Sequence, residues 1–169
     1  MYLAEIRGKL SSLIEKKEDV LTSNVFSFFK YADRAVFLKG YLHELGVDIS
    51  KHEAKQAIFE FWPQYQDGTE PDVVIQTNNY YLLLEAKYFS DFGKETPKTK
   101  AQLTREVENG KREANNQGKL FKLIAITADS YERPERLDSL PKGLIPFCKW
   151  TNWQTVAKYL KQVLENQQG

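Results

Sequence analysis

Pro71-Asp72-Val73-Val74-Ile75-Gln76-Thr77-Asn78-Asn79-Tyr80-Tyr81-Leu82-Leu83-Leu84-Glu85-Ala86-Lys87 holds two apolar runs joined by a short polar link, Thr77-Asn78-Asn79. An Asn-Asn pair tolerates the positive φ angles of a two-residue type I′ turn. The stretch therefore predicts a β-hairpin in which position 77 pairs with 80, 75 with 82 and 72 with 85. Directly opposed residues share a face and side chains alternate, so Asp72, Glu85 and Lys87 are expected on one side of the hairpin. Val73, Ile75, Leu82 and Leu84 fall on one face, and Val74 and Leu83 on the other. Apolar residues on both faces indicate a central sheet covered on both sides. Two carboxylates and an amine at one sheet end are costly in a pure scaffold, because facing like charges repel unless a cation sits between them. The cation that suits oxygen donors is Mg²⁺ or Mn²⁺.

Working outward, residues 2–17 place Leu3, Ile6, Leu10, Leu13 and Ile14 at helical spacing. Cap-prone Leu21-Thr22-Ser23-Asn24 then leads into an aromatic segment, predicting a second helix, or a pair kinked near Asp33, that ends at Gly46. Residues 57–65 read as a first strand, before the hairpin strands. After a polar loop at 90–99 come a helix over 100–117, a strand at 120–128, a short strand at 144–149 and a last helix over 153–165 capped by Asn152. The order is mixed α/β, with one helical crossover between the third and fourth strands.

The 169 residues make a single domain, 1–169, able to bury a core without disulfide or metal staples. Within it, residues 1–17 form an extra N-terminal helix, a possible interaction element, and 18–165 form the core. Hydrophobic residues at 41% and charged residues at 28% fit an ordinary soluble protein, and no apolar stretch is long enough for a membrane span. No secretory signal is visible, and the single cysteine, Cys148, fits a reducing cytoplasm as a small buried hydrophobe. The net charge of +1 announces no polyanion partner, but residues 87–112 carry seven Lys or Arg against four Asp or Glu. Such a run faces phosphate, or else is a solvated helix face.

Glu-x-Lys alone is a weak signal, since the chain contains it at Glu15-Lys16-Lys17, Glu53-Ala54-Lys55 and Glu85-Ala86-Lys87. Only the third ends an apolar strand and follows a Pro-Asp pair, Pro71-Asp72. The bland alternative makes Asp72 a residue at the start of a strand and pairs Lys87 with Glu85 or Glu70. His43 and His52 lack zinc-ligand spacing and read as surface residues, while Trp62, Trp150, Trp153 and the aromatics Phe26, Phe28, Phe29 and Phe37 read as core.

On Pro71-Asp72 and Glu85-Ala86-Lys87, the chain resembles the PD-(D/E)XK, or restriction endonuclease-like, nuclease superfamily. The resemblance implies an αβββαβ core, a central mixed sheet flanked by helices, to which the N-terminal helix is an addition. It also implies that Asp72 and Glu85 hold one or two Mg²⁺ ions and that Lys87 assists the attacking water. A further acid on the first core helix falls to Glu18, with Asp19 as its rival. The residue on the helix after the third strand falls to Gln102, with Arg105 one turn on; Lys94, Lys98 and Lys100 stand beside them as substrate contacts. The backbone carbonyl of Ala86 is a further oxygen donor. Phosphodiester hydrolysis needs charge neutralisation and hydroxide near neutral pH, and carboxylate-held Mg²⁺ or Mn²⁺ supplies both.

The expectation is a cytoplasmic Mg²⁺-dependent nuclease that hydrolyses DNA, acting alone, as a homodimer or with a partner protein, and not on a membrane. The rival readings are a catalytically silent nucleic-acid-binding module of the same fold in a defence or repair complex, and an interaction module that docks through the Leu3–Ile14 helix.

Overall fold

In the computed structural model, which describes residues 13–87, 92 and 100–167, strands β1 (Ile58–Phe61), β2 (Val73–Gln76), β3 (Tyr80–Lys87), β4 (Leu120–Thr127) and β5 (Cys148–Asn152) lie in that order across one sheet. β1, β2 and β3 pair antiparallel, whereas β3–β4 and β4–β5 are parallel. Val73 faces Leu84 and Ile75 faces Leu82, which is the register expected from the hairpin. Continued by one pair, it sets Asp72 opposite Glu85.

The turn itself is not type I′. Trp62 (φ 49°) is the sole non-glycine residue at positive φ among the described residues, so Asn78 and Asn79 keep ordinary backbone angles. The Thr77 N–H donates to the Tyr80 carbonyl (2.9 Å), and the Thr77 hydroxyl accepts from the Tyr80 N–H (3.0 Å). That side-chain bond closes the turn without left-handed residues. Asn79 serves the tertiary structure instead: its amide donates to Glu53 Oε1 (2.9 Å) and its carbonyl accepts from the Leu120 N–H (2.7 Å).

Helices α1 (Leu13–Tyr31), α2 (Phe37–Glu44), α3 (Lys51–Gln56), α4 (Gln102–Asn116) and α5 (Trp153–Gln167) complete the described elements. The result is an α/β fold with a five-stranded mixed open sheet flanked by helices. Val73, Ile75, Leu82 and Leu84 join Phe26 and Phe29 of α1, Leu38 and Tyr41 of α2, and Trp153 and Val156 of α5 in one core. Val74, Leu83, Leu123 and Phe121 join Leu103, Val107 and Ala114 of α4 in the other. The alternation along β2 and β3 thus sorts side chains between two layers, each with its own apolar core. No helix among the described residues is long and apolar enough to cross a membrane.

Several expected boundaries move. α1 runs unbroken through Thr22-Ser23-Asn24 and across the 17/18 boundary expected between an N-terminal helix and the core. Ser23 does not cap: it is buried, and its hydroxyl donates to the Val20 carbonyl (3.1 Å) inside the helix. Residues 1–12, with Leu3, Ile6 and Leu10, lie outside the described residues. α3 was not expected, although Ser50-x-x-Glu53 forms a full capping box at its start. The first strand ends at Phe61, where Trp62 turns into the left-handed region while its N–H donates to the Asp72 carbonyl (3.0 Å). The last strand starts at Cys148 rather than residue 144, because Pro146 sits in a 3₁₀ turn over Ile145–Phe147. Asn152 caps α5 as expected, its side chain accepting from the Thr155 N–H (2.7 Å). Gly46, at φ 71°, follows α2 as anticipated.

Candidate active site

Asp72 lies one residue before β2, and Glu85 and Lys87 occupy the last turn of the pleat of β3. Val74 and Leu83 pack beneath α4, so alternation directs Asp72, two residues before Val74, and Glu85 and Lys87, two and four beyond Leu83, toward the same layer. The three side chains meet in one hydrogen-bonded knot. The Asp72 N–H donates to Glu85 Oε2 (3.2 Å), the Ala86 N–H donates to Asp72 Oδ2 (2.8 Å), and Lys87 Nζ pairs with Glu85 Oε1 at 2.8 Å. Glu85 is 2% exposed, which is rare for a carboxylate and requires compensation by partners of this kind.

The charges are coupled. Burial first, then the Glu85 carboxylate, push the Asp72 carboxyl up to about 8, against the opposing pull of Lys87 and the Ala86 N–H; Asp19 adds to the rise. Burial alone would lower the Lys87 ammonium, but Glu85 and then Asp72 outweigh it and raise it above the usual lysine range, with Glu18 contributing. Lys87 is therefore a cation at neutral pH and not a resting base. α1 packs on the sheet from the opposite layer, and it carries Glu18 and Asp19. Glu18 is buried and its field reaches Lys87, whereas the field of Asp19 reaches Asp72, so neither rival is set apart from the other.

The proposed substrate residues separate. Gln102 is exposed at the start of α4 and its amide donates to Glu106 Oε1 (2.8 Å). Arg105 leans toward Asp67, Nη1 to Oδ2 at 3.8 Å, and not into the knot. Lys100 is engaged by Glu108 (2.6 Å) at the surface. Lys94 and Lys98 lie outside the described residues. Ala86 is buried and faces the other core, and its N–H donates to Asp72 Oδ2.

Elsewhere the aromatics behave as core: Phe26, Phe29, Phe37, Trp62 and Trp153 are buried, and Trp150 donates its indole N–H to Thr127 Oγ1 (3.1 Å). Both histidines are exposed, His43 holding Asp48 at 2.6 Å. Cys148 is only half-buried beside Phe147, while Ile145 is exposed, so the expected burial between the two is incomplete. Burial nevertheless pushes the Cys148 thiol up to about 12, far from a nucleophile.

One acid was overlooked in the sequence. Glu106 on α4 is 0% exposed, and burial, then Glu85 and more weakly Asp72, push its carboxyl up to about 9. Gly110 explains how deep the helix sits: a Cβ there would lie 2.8 Å from Leu83 Cδ1 and 2.9 Å from the Phe121 ring, so only glycine lets α4 approach so closely. The sequence did contain a signal, because Glu106 falls on the buried stripe Leu103, Val107, Gly110, Ala114, where a charge is anomalous.

No family model matches the chain, nor does any curated protein or solved structure. The chemistry of the site therefore rests on its own geometry. Among the described residues, no three His, Cys, Asp or Glu side chains stand ready-spaced around a metal ion, and both Glu85 oxygens are taken up by Lys87 and the Asp72 N–H. The chemistry of the donors still fits a hard divalent cation: Asp72, Glu85 and Glu106 all offer carboxylate oxygens, and Lys87 pairs with Glu85 alone among them.

Proposed function

We propose that the chain is a Mg²⁺- or Mn²⁺-dependent nuclease of the PD-(D/E)XK type, hydrolysing phosphodiester bonds in DNA. The observation that carries this reading is the knot itself: Asp72, Glu85 and Lys87 bound to one another at the end of the central hairpin, with the acids in excess and Glu85 buried. A fold gains nothing from placing a raised carboxyl beside a buried one, whereas strongly shifted groups gathered at a sheet end are what a site for charged chemistry requires. The five-stranded mixed sheet with α4 crossing between β3 and β4 is compatible with the αβββαβ core of that superfamily.

Asp72 and Glu85 would hold the ion, which when bound supplies charge neutralisation and a more acidic water. The chain's own groups do the rest. Lys87, fixed by Glu85 and kept protonated, is a point cation that offsets charge on a phosphate oxygen and orients a water molecule. The Ala86 N–H fixes the Asp72 carboxylate in place. The covered sheet end limits bulk water around these charges, strengthening each interaction.

The test is an assay of the purified chain on linear, nicked, branched and single-stranded DNA with Mg²⁺ or Mn²⁺. Metal-dependent cleavage that is lost in Asp72→Asn supports the reading. No cleavage of any member of the panel, with a folded protein, rejects it. The rival, a silent binding module of the same architecture, draws on the Lys87–Glu85 pair, which engages a carboxylate the metal would need. DNA retained on the protein without cleavage would favour that rival.

A further inference from the structure

Glu106 carries an unmet hydrogen-bonding demand. Its Oε1 accepts from Gln102, one turn back on α4, but its Oε2 is shut off from solvent and has no hydrogen-bond partner among the described residues. A buried acceptor left unmade forfeits its hydration with nothing in return, which is why such atoms are rare in native interiors. Packing gives no reason for the acid. Leu103 and Val107 on the same stripe are apolar, and a Leu or Met at 106 would fill the space without that cost.

Position supplies the reason. α4 lies on the β3 face that bears Leu83, drawn close by Gly110, and Glu85 is the next residue of β3 to face that layer. Glu106 thus lies in the layer that Glu85 and Asp72 face, and the fields of both acids act on it. We infer that Glu106 is a third carboxylate ligand of the cation held by Asp72 and Glu85, with Oε2 as the donor atom and Gln102 as the positioning residue that orients it through Oε1. This rests on the metal-site reading of Asp72 and Glu85, and it gives Gln102 a task different from contact with substrate. An amide that orients a ligating carboxylate typically contributes about 10–100-fold to metal affinity.

The experiment is a calorimetric titration of the intact chain with Mn²⁺, without DNA, on the parent, Asp72→Asn, Glu106→Gln, Gln102→Ala and Glu113→Gln, the last two turns further along α4. Each variant is first melted in metal-free buffer to confirm folding. Gln102→Ala should weaken Mn²⁺ binding by about 10–100-fold and Glu106→Gln by at least as much, with Glu113→Gln unchanged. If Glu106→Gln does not fold, Glu106→Asp keeps the charge but withdraws the oxygen, and it should show the same weakening. Parent-like Mn²⁺ binding by Glu106→Gln, with binding lost in Asp72→Asn, overturns the role of Glu106 and leaves the Asp72–Glu85 site standing. Loss in Glu106→Gln with full binding in Asp72→Asn overturns the shared site. An unresponsive parent overturns both.

Discussion

The chain writes Glu-Ala-Lys twice, at 53–55 and at 85–87, and folds the two copies into opposite environments. The first lies on the short helix α3. Glu53 completes a capping box with Ser50, and the Ser50 N–H holds its carboxyl below the usual range. Lys55 is exposed, and only Ala54 is buried. The second ends β3, with Glu85 and Ala86 both buried and Lys87 held in an ion pair by its own neighbour. A helix rotates residues i and i+2 to different sides, whereas a strand returns them to the same side. Identical triplets therefore give a solvated cap in one case and a paired, desolvated charge cluster in the other. What sets the second copy apart is period two, burial and Asp72 across the strand.

The largest effect that can break this contrast is on turnover. Glu85→Gln should reduce metal-dependent cleavage by roughly 10³-fold or more, and Glu53→Gln by no more than a few-fold, read from initial rates on a labelled duplex. Equal losses would mean that the two triplets differ in burial but not in role.

Lys87→Ala comes next. It should lower the rate by about 10²-fold while Mn²⁺ affinity persists or tightens, because Glu85 Oε1 is released. Lys87→Arg should restore little, since a planar fork does not replace a compact ammonium. Lys55→Ala should leave the rate within a few-fold of the parent. A fully active Lys87→Ala would remove the triplet from the mechanism.

The pH response separates the two environments without any DNA. The Asp72 carboxyl is raised in the folded state from an ordinary value near ~4 to about 8. The folded state then binds the proton more tightly than the unfolded chain, so its contribution is fully present at low pH and is lost as pH rises through that window. In metal-free buffer the melting temperature should fall between pH 5 and 8, and Asp72→Asn should flatten the fall, since the amide keeps an oxygen for the Ala86 N–H. Glu53, lowered instead, contributes in the opposite direction, so Glu53→Gln should not flatten the fall. An unchanged slope in Asp72→Asn would show that its carboxyl is not held in an unfavourable state.

The smallest effect belongs to the solvated copy. Ser50→Ala removes the cap side of the box and should cost about 1 kcal/mol, or roughly 2–4 °C in the melt of a chain this size, with turnover untouched. A loss of activity there would tie α3 to the site through the Asn79–Glu53 contact.

Short-range rules determined much of this protein. Strand alternation and a two-residue connection set the register of β2 and β3, and with it the convergence of Asp72, Glu85 and Lys87, because both rules act within seventeen consecutive residues. Helix stops at Gly46 and the Asn152 cap were legible for the same local reason. Where alternatives were locally satisfiable, local reading failed: Ser23 caps in one context and bonds back into the helix in another, and Asn78-Asn79 tolerates positive φ without requiring it. The packing of distant segments alone set Arg105 toward Asp67, gave Gln102 to Glu106, and buried Glu106 in the layer that Glu85 faces. Those outcomes depend on how closely α4 rests on the sheet, which Gly110 permits through contacts with Leu83 and Phe121, residues remote from it in sequence. No periodicity within one segment encodes the distance between two.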